Sequence, residues 1–270
     1  MISPPALSGV RVEVDGPLAL VTLDRPEASN AYSAEMVPSL VAALGWVDRA
    51  ASVRCAIITG AGKAFSAGGD LRLMQQHAGM FEGAPYELRQ NYQRGIQSVP
   101  RALEAFSKPL IAAINGPAIG AGLDLACMCD LRVASTRAKL GSTFVKLGLV
   151  PGDGGAFLLA RVVGFPRALE LMLTGDILDA ARALELGLVH YVVEPDELLP
   201  RARALAEKIA ANAPVAVQLT KRACYQAWDQ TLAQALDTAA TYQGISQNTC
   251  DHDEGVAALL EGRPPRFEGR

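Results

Sequence analysis

Two short segments of small residues stand out as able to do chemistry: Ala64-Phe65-Ser66-Ala67-Gly68-Gly69-Asp70 and Asn115-Gly116-Pro117-Ala118-Ile119-Gly120-Ala121-Gly122-Leu123-Asp124. Each follows an apolar, β-rich run, Cys55 to Thr59 in one case and Leu110 to Ile114 in the other. A main-chain N–H in such a segment can approach a ligand without obstruction from a side chain. Two of them aimed at one point suit a reaction in which negative charge gathers on a carbonyl oxygen, as in an acyl thioester.

Carboxylates lie among the same glycines. Asp124 sits one turn into a helix that begins beside the second segment, and Asp153 sits in Pro151-Gly152-Asp153-Gly154-Gly155. Each has a plain structural reading: a helix N-cap for Asp153 and a first-turn carboxylate favoured by the helix dipole for Asp124. Their apolar neighbours also suggest burial, which raises a carboxyl pKa toward the range of general acid and base work. Asp70 follows two glycines and reads as the cap of a helix starting at Leu71. Arg25, in Leu23-Asp24-Arg25-Pro26-Glu27, suits either a phosphate or a solvated loop.

Other chemistries are poorly supported. Gly60-Ala61-Gly62-Lys63 lacks phosphate-loop spacing because Ala64 follows the lysine, and no Gly-x-Gly-x-x-Gly opens a helix after the first strand. There is no Gly-x-Ser-x-Gly elbow, and the three histidines, His77, His190 and His252, fall in segments read as surface helix, strand start and helix cap. The five cysteines read as reduced packing thiols. Cys127 and Cys129 have no accompanying cluster of ligand spacing, so no metal is expected.

The chain has 270 residues, half of them hydrophobic, enough for one compact domain with an appendage. A net charge of −3 provides no broad basic footprint for nucleic acid or an anionic membrane surface. No apolar run approaches the roughly 18 residues that cross a bilayer. Met1-Ile2-Ser3-Pro4-Pro5 lacks the marks of a leader, so a cytoplasmic protein is expected.

The positioning elements can be read from the same pattern. Val10 to Val14 and Ala19 to Leu23 flank Asp15-Gly16-Pro17 as a hairpin, and Ser33 can cap a helix over about 34–49. Helices over about 86–106, 120–128 and 154–163 alternate with strands at 55–59, 110–114 and 131–134, with a loop over 140–155. Such alternation predicts a largely parallel sheet. From Pro195 onward the pattern is almost wholly helical, placing the edge of the core near 195–210.

Ordered motifs along nearly the whole chain carry a family resemblance. They include Leu23-Asp24-Arg25-Pro26 with Asn30-Ala31, Lys63 through Leu71, Lys108 through Gly116, Met128-Cys129-Asp130-Leu131, Leu147 through Gly155 and Arg263-Pro264-Pro265-Arg266-Phe267. The chain resembles the crotonase, or enoyl-CoA hydratase/isomerase, superfamily. The resemblance implies an α/β fold, a spiral of β-β-α units over residues 1–200, with a C-terminal helical trimerisation region over 201–270. It also implies a homotrimer or dimer of trimers, and a place in fatty acid metabolism.

It further implies that coenzyme A enters as part of the substrate, with no tightly bound cofactor. The CoA would lie against Arg25 to Ala28 and the Ala67-Gly68-Gly69-Asp70 loop, and the N–H groups of Ala67 and Ala121 would form the oxyanion hole. Residue 121 is usually glycine in the family; alanine keeps the N–H.

Hydratases of this family hold the attacking water with two glutamates. Their positions are matched here by Asp124, one methylene or about 1.5 Å shorter, and by Phe144, which cannot move a proton. Asp124 with Asp153 resembles two of the three carboxylates of dienoyl-CoA isomerases. Double-bond isomerisation is therefore expected ahead of ordinary hydration, with Phe144 lining an apolar acyl pocket. The alternatives are hydrolysis or dehalogenation with Asp153 as nucleophile, and a catalytically weak acyl-CoA binder.

Overall fold

The computed structural model describes residues 5–270. Residues 1–4, and with them most of the stretch read for a leader, lie outside the described residues. The expected hairpin opens the fold as β1 (Val10–Asp15) and β2 (Leu18–Leu23), paired antiparallel. In α1 (Met36–Arg49), Met36, Val37, Leu40, Ala43, Leu44 and Val47 form a helical stripe turned inward, and Ser33 Oγ accepts the Met36 N–H at 3.2 Å. β3 (Cys55–Gly60) is buried on both faces, as a strand covered by helices on two sides should be.

The region expected to hold one helix over about 86–106 contains two. After α2 (Leu71–Gln75) come α3 (Pro85–Arg94) and α4 (Ser98–Ala105), with a break at Gly95. Pro100 explains the break: it has no N–H for the Ile96 carbonyl, and in a continuous helix its ring would crowd that carbonyl. A periodic apolar pattern had hidden this stop.

The spiral follows. β4 (Leu110–Ile114), β5 (Ala118–Ile119) and α5 (Ala121–Met128) make one β-β-α unit. β6 (Leu131–Ser135), β7 (Lys139–Gly141), α6 (Gly155–Val163) and α7 (Phe165–Thr174) make the next. β8 (Ile177–Asp179), α8 (Ala180–Glu185) and β9 (Tyr191–Val193) close the turn. The large sheet has the order β1-β2-β3-β4-β6-β9, parallel throughout except for the hairpin, and the small sheet is β5-β7-β8. The chain alternates between the two sheets, which makes the expected crotonase-like spiral.

Period-2 alternation splits the core across the large sheet. Ile58, Ala112 and Ile114 face α1, α4 and α5, while Ile57, Ile111, Ala113 and Val133 face α9 (Leu198–Ala210) through its Leu198, Ala202, Ala206 and Ala210. The boundary expected at residue 200 therefore falls inside a helix that covers the sheet, and α9 belongs with the core. The appendage proper is α10 (Pro214–Ala227), α11 (Leu232–Gln247) and α12 (Cys250–Glu261). No helix among the described residues is long and apolar enough to cross a membrane.

One side chain ties the appendage to the sheet. Asp130 Oδ2 accepts from the Leu110 N–H at 2.7 Å and Lys221 Nζ at 2.9 Å, and its Oδ1 accepts from the Tyr225 hydroxyl at 2.8 Å. Removing the acceptor leaves a largely buried ammonium without its anion, the costly way to break such a pair. Asp130→Ala is expected to lower stability by about 2–4 kcal/mol and to speed amide exchange in α10 before the sheet. Thermal denaturation together with hydrogen exchange measures both.

Candidate active site

The loops after β3 and β4 meet main chain to main chain. The N–H groups of Phe65 and Ser66 donate to Pro117 O at 3.0 and 3.1 Å, and the Ile119 N–H donates to Ser66 O at 3.0 Å. Small residues permit this contact. A methyl on Gly122 would overlap the Ser66 carbonyl, and one on Gly68 would come within 2.6 Å of Ile119 O and 2.9 Å of Ala121 N. Gly68 also has φ +80°, a conformation that a side chain disfavours.

Three polar side chains lock the arrangement. Asn30, fully buried at φ 55°, donates through Nδ2 to the carbonyls of Ala61 and Ala64 at 2.9 and 2.8 Å, while its Oδ1 accepts the Arg25 N–H at 2.9 Å. Asn115 Nδ2 donates to Gly62 O and Ala64 O, and Ser66 Oγ donates to Asn30 O at 2.9 Å. Asn30 and Asn115 carry the family resemblance in the sequence, but nothing in their spacing shows that they staple the loops.

A cleft of about 550 Å³ opens along this seam. Of the residues expected at the site, Arg25, Ala28, Ala67, Gly69, Asp70, Ala121 and Phe144 line it. Gly68 does not; it is pressed against the second loop. Asp70 caps α2 as expected, accepting the Arg72 N–H at 3.0 Å. Arg25 Nη1 donates to Ala31 O at 2.7 Å. Arg72 and Lys146 also line the cleft and add exposed cations that sequence reasoning did not single out.

The expectation that the Ala67 N–H forms half of an oxyanion hole is corrected by the geometry. That N–H donates to Ser29 O at 2.9 Å, and the Gly68 N–H donates to Ser66 Oγ at 3.1 Å. In this loop Gly69 lines the cleft with its N–H unpartnered among the described residues. Across the seam, Ala121 is the first residue of α5, where an N–H has no acceptor within the helix. The Phe144 ring stands close by, 3.7 Å from the place a Gly120 Cβ would take.

Asp124 and Asp153 do not line the open cleft; they are 0% and 3% exposed. Asp124 lies three residues beyond Ala121 on α5, hence on the same face one turn further in. Its carboxyl packs on the Cα of Gly155, where any side chain would overlap it, and its polar neighbour is the Asp153 carboxyl rather than an N–H or hydroxyl donor. The N-cap reading of Asp153 does not hold, because Gly154 takes the cap position of α6. Tyr92 and Gln97 hold the Asp153 loop from outside, the ring against Gly152 and Nε2 donating to Gly152 O at 2.8 Å.

Burial raises the Asp124 carboxyl well above the usual carboxylate range, and the neighbouring Asp153 charge adds to the effect. Burial also raises Asp153, partly offset by its contact with Asp124. The pair thus retains a proton that isolated carboxyls would release, which suits proton exchange.

Comparison with known proteins settles the lineage. The sequence pattern of the family described as Enoyl-CoA hydratase/isomerase matches residues 13–270. The chain belongs to the enoyl-CoA hydratase/isomerase family. It is 37% identical over 268 residues to a short-chain-enoyl-CoA hydratase of Clostridium acetobutylicum, covering 97% of this chain and 98% of the relative. It is also 38% identical over 250 residues to a 1,2-epoxyphenylacetyl-CoA isomerase of Escherichia coli, covering 93% and 94%. A crystal structure of enoyl-CoA hydratase from Bacillus anthracis superimposes with a TM-score of 0.91 at 34% identity, covering 97% of this chain and all of that one. The family acts on acyl-CoA and includes both hydratases and isomerases, so membership alone does not select the reaction.

Gly68→Ala is expected to push the two loops apart. Stability should fall by about 1–3 kcal/mol, and turnover of any active acyl-CoA by about 10²-fold, as when an oxyanion donor is lost. Gly148→Ala is the control, since Gly148 has φ +69° with nothing within 4 Å of the added methyl: it should lose about 1 kcal/mol and keep its activity. Melting curves and steady-state rates on both variants check this.

A second expectation concerns pH. Because the folded-state Asp124 carboxyl is raised above its unfolded value of about 3.9, the native state binds the extra proton. Its contribution to stability is lost as pH rises from that unfolded value through the folded one. Each unit of separation is worth about 1.4 kcal/mol. Asp124→Asn should flatten the decline of stability between pH 5 and 8, as measured by denaturant unfolding across that range.

Proposed function

We propose that this protein moves a proton between carbons of an acyl-CoA thioester, shifting a double bond. The enolate oxygen is held by the N–H groups of Gly69 and Ala121, and Asp153 with Asp124 shuttles the proton. The observation that carries this reading is the buried carboxyl pair one helical turn from the helix-terminal N–H of Ala121, with the apolar Phe144 lining the cleft where the family resemblance implies a hydratase glutamate.

The steps follow from thioester chemistry. Asp153, as carboxylate, takes a proton from an acyl carbon; the C–H electrons move through the conjugated chain onto the thioester oxygen, and the donors offset that charge. Each donor contributes about 3 kcal/mol in such sites. The proton then returns from a carboxyl to a different carbon and the oxygen's electron pair moves back. Nothing is oxidised, and no water is consumed. Ordinary hydration needs a second carboxylate across the acyl chain to hold the water, and Phe144 offers none.

Coenzyme A would be part of the substrate, its phosphates meeting Arg25, Arg72 and Lys146 along a cleft otherwise lined largely by small and apolar groups. Assembly through the appendage is part of the same reading. Leu232, Leu236, Leu259 and Leu260 on α11 and α12 are 76%, 61%, 83% and 83% exposed in one chain, and copies of the chain packing there would cover them.

Incubation with short, long, dienoyl and aromatic enoyl-CoAs in D2O tests the reaction. Deuterium should enter the acyl carbons with no covalent adduct, and Asp153→Asn should reduce incorporation by about 10²-fold or more. Phe144→Glu should raise hydration of a simple enoyl-CoA while lowering isomerisation. An adduct mass on Asp153 would overturn the proposal in favour of nucleophilic attack. Tight CoA-thioester binding without exchange would instead favour a binding protein.

A further inference from the structure

The loop that carries Asp153 is held from outside rather than by its own chain. Gly152, Gly154 and Gly155 surround the aspartate, and Gly154 sits at φ +100°, so the main chain on either side has the freedom of glycine. Among the described residues, one hydrogen bond from another element reaches the main chain between Val150 and Asp153: Gln97 Nε2 donates to Gly152 O at 2.8 Å. The Tyr92 ring supplies a steric partner, since a Cβ on Gly152 would lie 2.6 Å from Tyr92 Cε1. Asp153 is thus fixed through the residue before it.

The break between α3 and α4 brings these two side chains together. Tyr92 lies in the last turn of α3, and Gln97 immediately precedes α4. In one continuous helix, residues five apart would point about 140° apart around the axis and could not meet on a single glycine. The Gln97 amide is also oriented. Its Oε1 accepts from Arg101 Nη2 at 3.4 Å, while Arg101 Nη1 donates to Gln93 O at 2.6 Å, so the NH2 end of the amide is the one turned to the loop. The same stretch of chain begins at the other half of the site: Leu71 and Met74 line the cleft, and Met74 Cε stands where a Cβ on Gly69 would go. Residues 71–97 therefore touch Gly69 at one end and the Asp153 loop at the other.

We propose that Gln97, with Tyr92 behind the same glycine, is a positioning residue for Asp153. The hydrogen bond draws Gly152 toward α3 and α4, the ring stops its approach, and the carboxyl one residue further on is held beside Asp124. Neither Gln97 nor Tyr92 lines the cleft, so both act through Asp153. This rests on the proton-shuttle reading above and extends it. Proton transfer tolerates little displacement of the base, so loosening the loop reduces turnover more than binding.

Gln97→Met removes the donor at similar volume, and Gln97→Glu removes it while keeping an oxygen for Arg101. In the protein alone, amide exchange from Gly152 to Gly155 should speed up about tenfold in each, with exchange in β3 and β4 unchanged. With an active enoyl-CoA in D2O, kcat for deuterium incorporation should fall about tenfold or more while KM stays within about twofold. Gly152→Ala tests the ring and serves if the Gln97 variants fold poorly. It should lower kcat likewise, and Tyr92→Leu in the same chain, which makes room for the methyl, should restore most of the loss. Unchanged loop exchange or unchanged kcat in the Gln97 variants would overturn the proposal, and exchange raised evenly through β3 and β4 would reduce Gln97 to packing. Absence of deuterium incorporation in the unaltered protein would defeat the shuttle reading instead, while amide exchange still decides whether Gln97 holds the loop.

Discussion

The contact between the Phe65–Ser66 and Pro117–Ile119 main chains is the constraint on which the rest of the site depends. An oxyanion hole built from two loops works only when its donors hold their separation as charge develops, because reorganisation at that moment would cancel the gain. Side chains hold such distances loosely; main-chain hydrogen bonds of 3.0 and 3.1 Å, with no Cβ at Gly68 or Gly122 to keep the loops apart, hold them well. β3 and β4 are adjacent and parallel, so both loops leave the same sheet edge and meet directly. The second sheet of the spiral begins there too, since β5 is the strand that Ser66 bridges.

Helix α5 starts at that contact. Its first residue, Ala121, lines the cleft, and its fourth residue, Asp124, is buried one turn away. The separation of donor and carboxyl is thus set by helix geometry rather than by a flexible link. The dipole of the same helix favours negative charge at its N-terminus. Burial acts against ionisation of Asp124, so the helix can favour an anion on the substrate while its own carboxyl remains neutral.

What the sequence disclosed and what it hid differ in physical kind. Strands and helices with strong period, such as Cys55–Gly60 and Met36–Arg49, and the punctuation of Asp70 and Ser33, were legible because they depend on local pattern and capping. The choice of donor was not. Ala67, Gly68 and Gly69 are adjacent small residues, and only the fold decides that the first two N–H groups are taken by Ser29 and Ser66 while the third is left unpartnered among the described residues. Short elements such as β5 and β7 are too brief for any periodicity to mark them.

In the proposed reaction, Phe144 bears on the fate of the enolate rather than on its formation. Once charge sits on the thioester oxygen, the outcome depends on what stands beside the distal acyl carbons: a held water leads to a hydroxyl adduct, and a carboxyl leads to a returned proton. In that reading the aromatic ring near Gly120 offers no place to hold a water, and the Asp124–Asp153 pair supplies the proton. On that proposal a single apolar replacement turns a shared first step toward isomerisation, with the second carboxyl, Asp153, returning the proton.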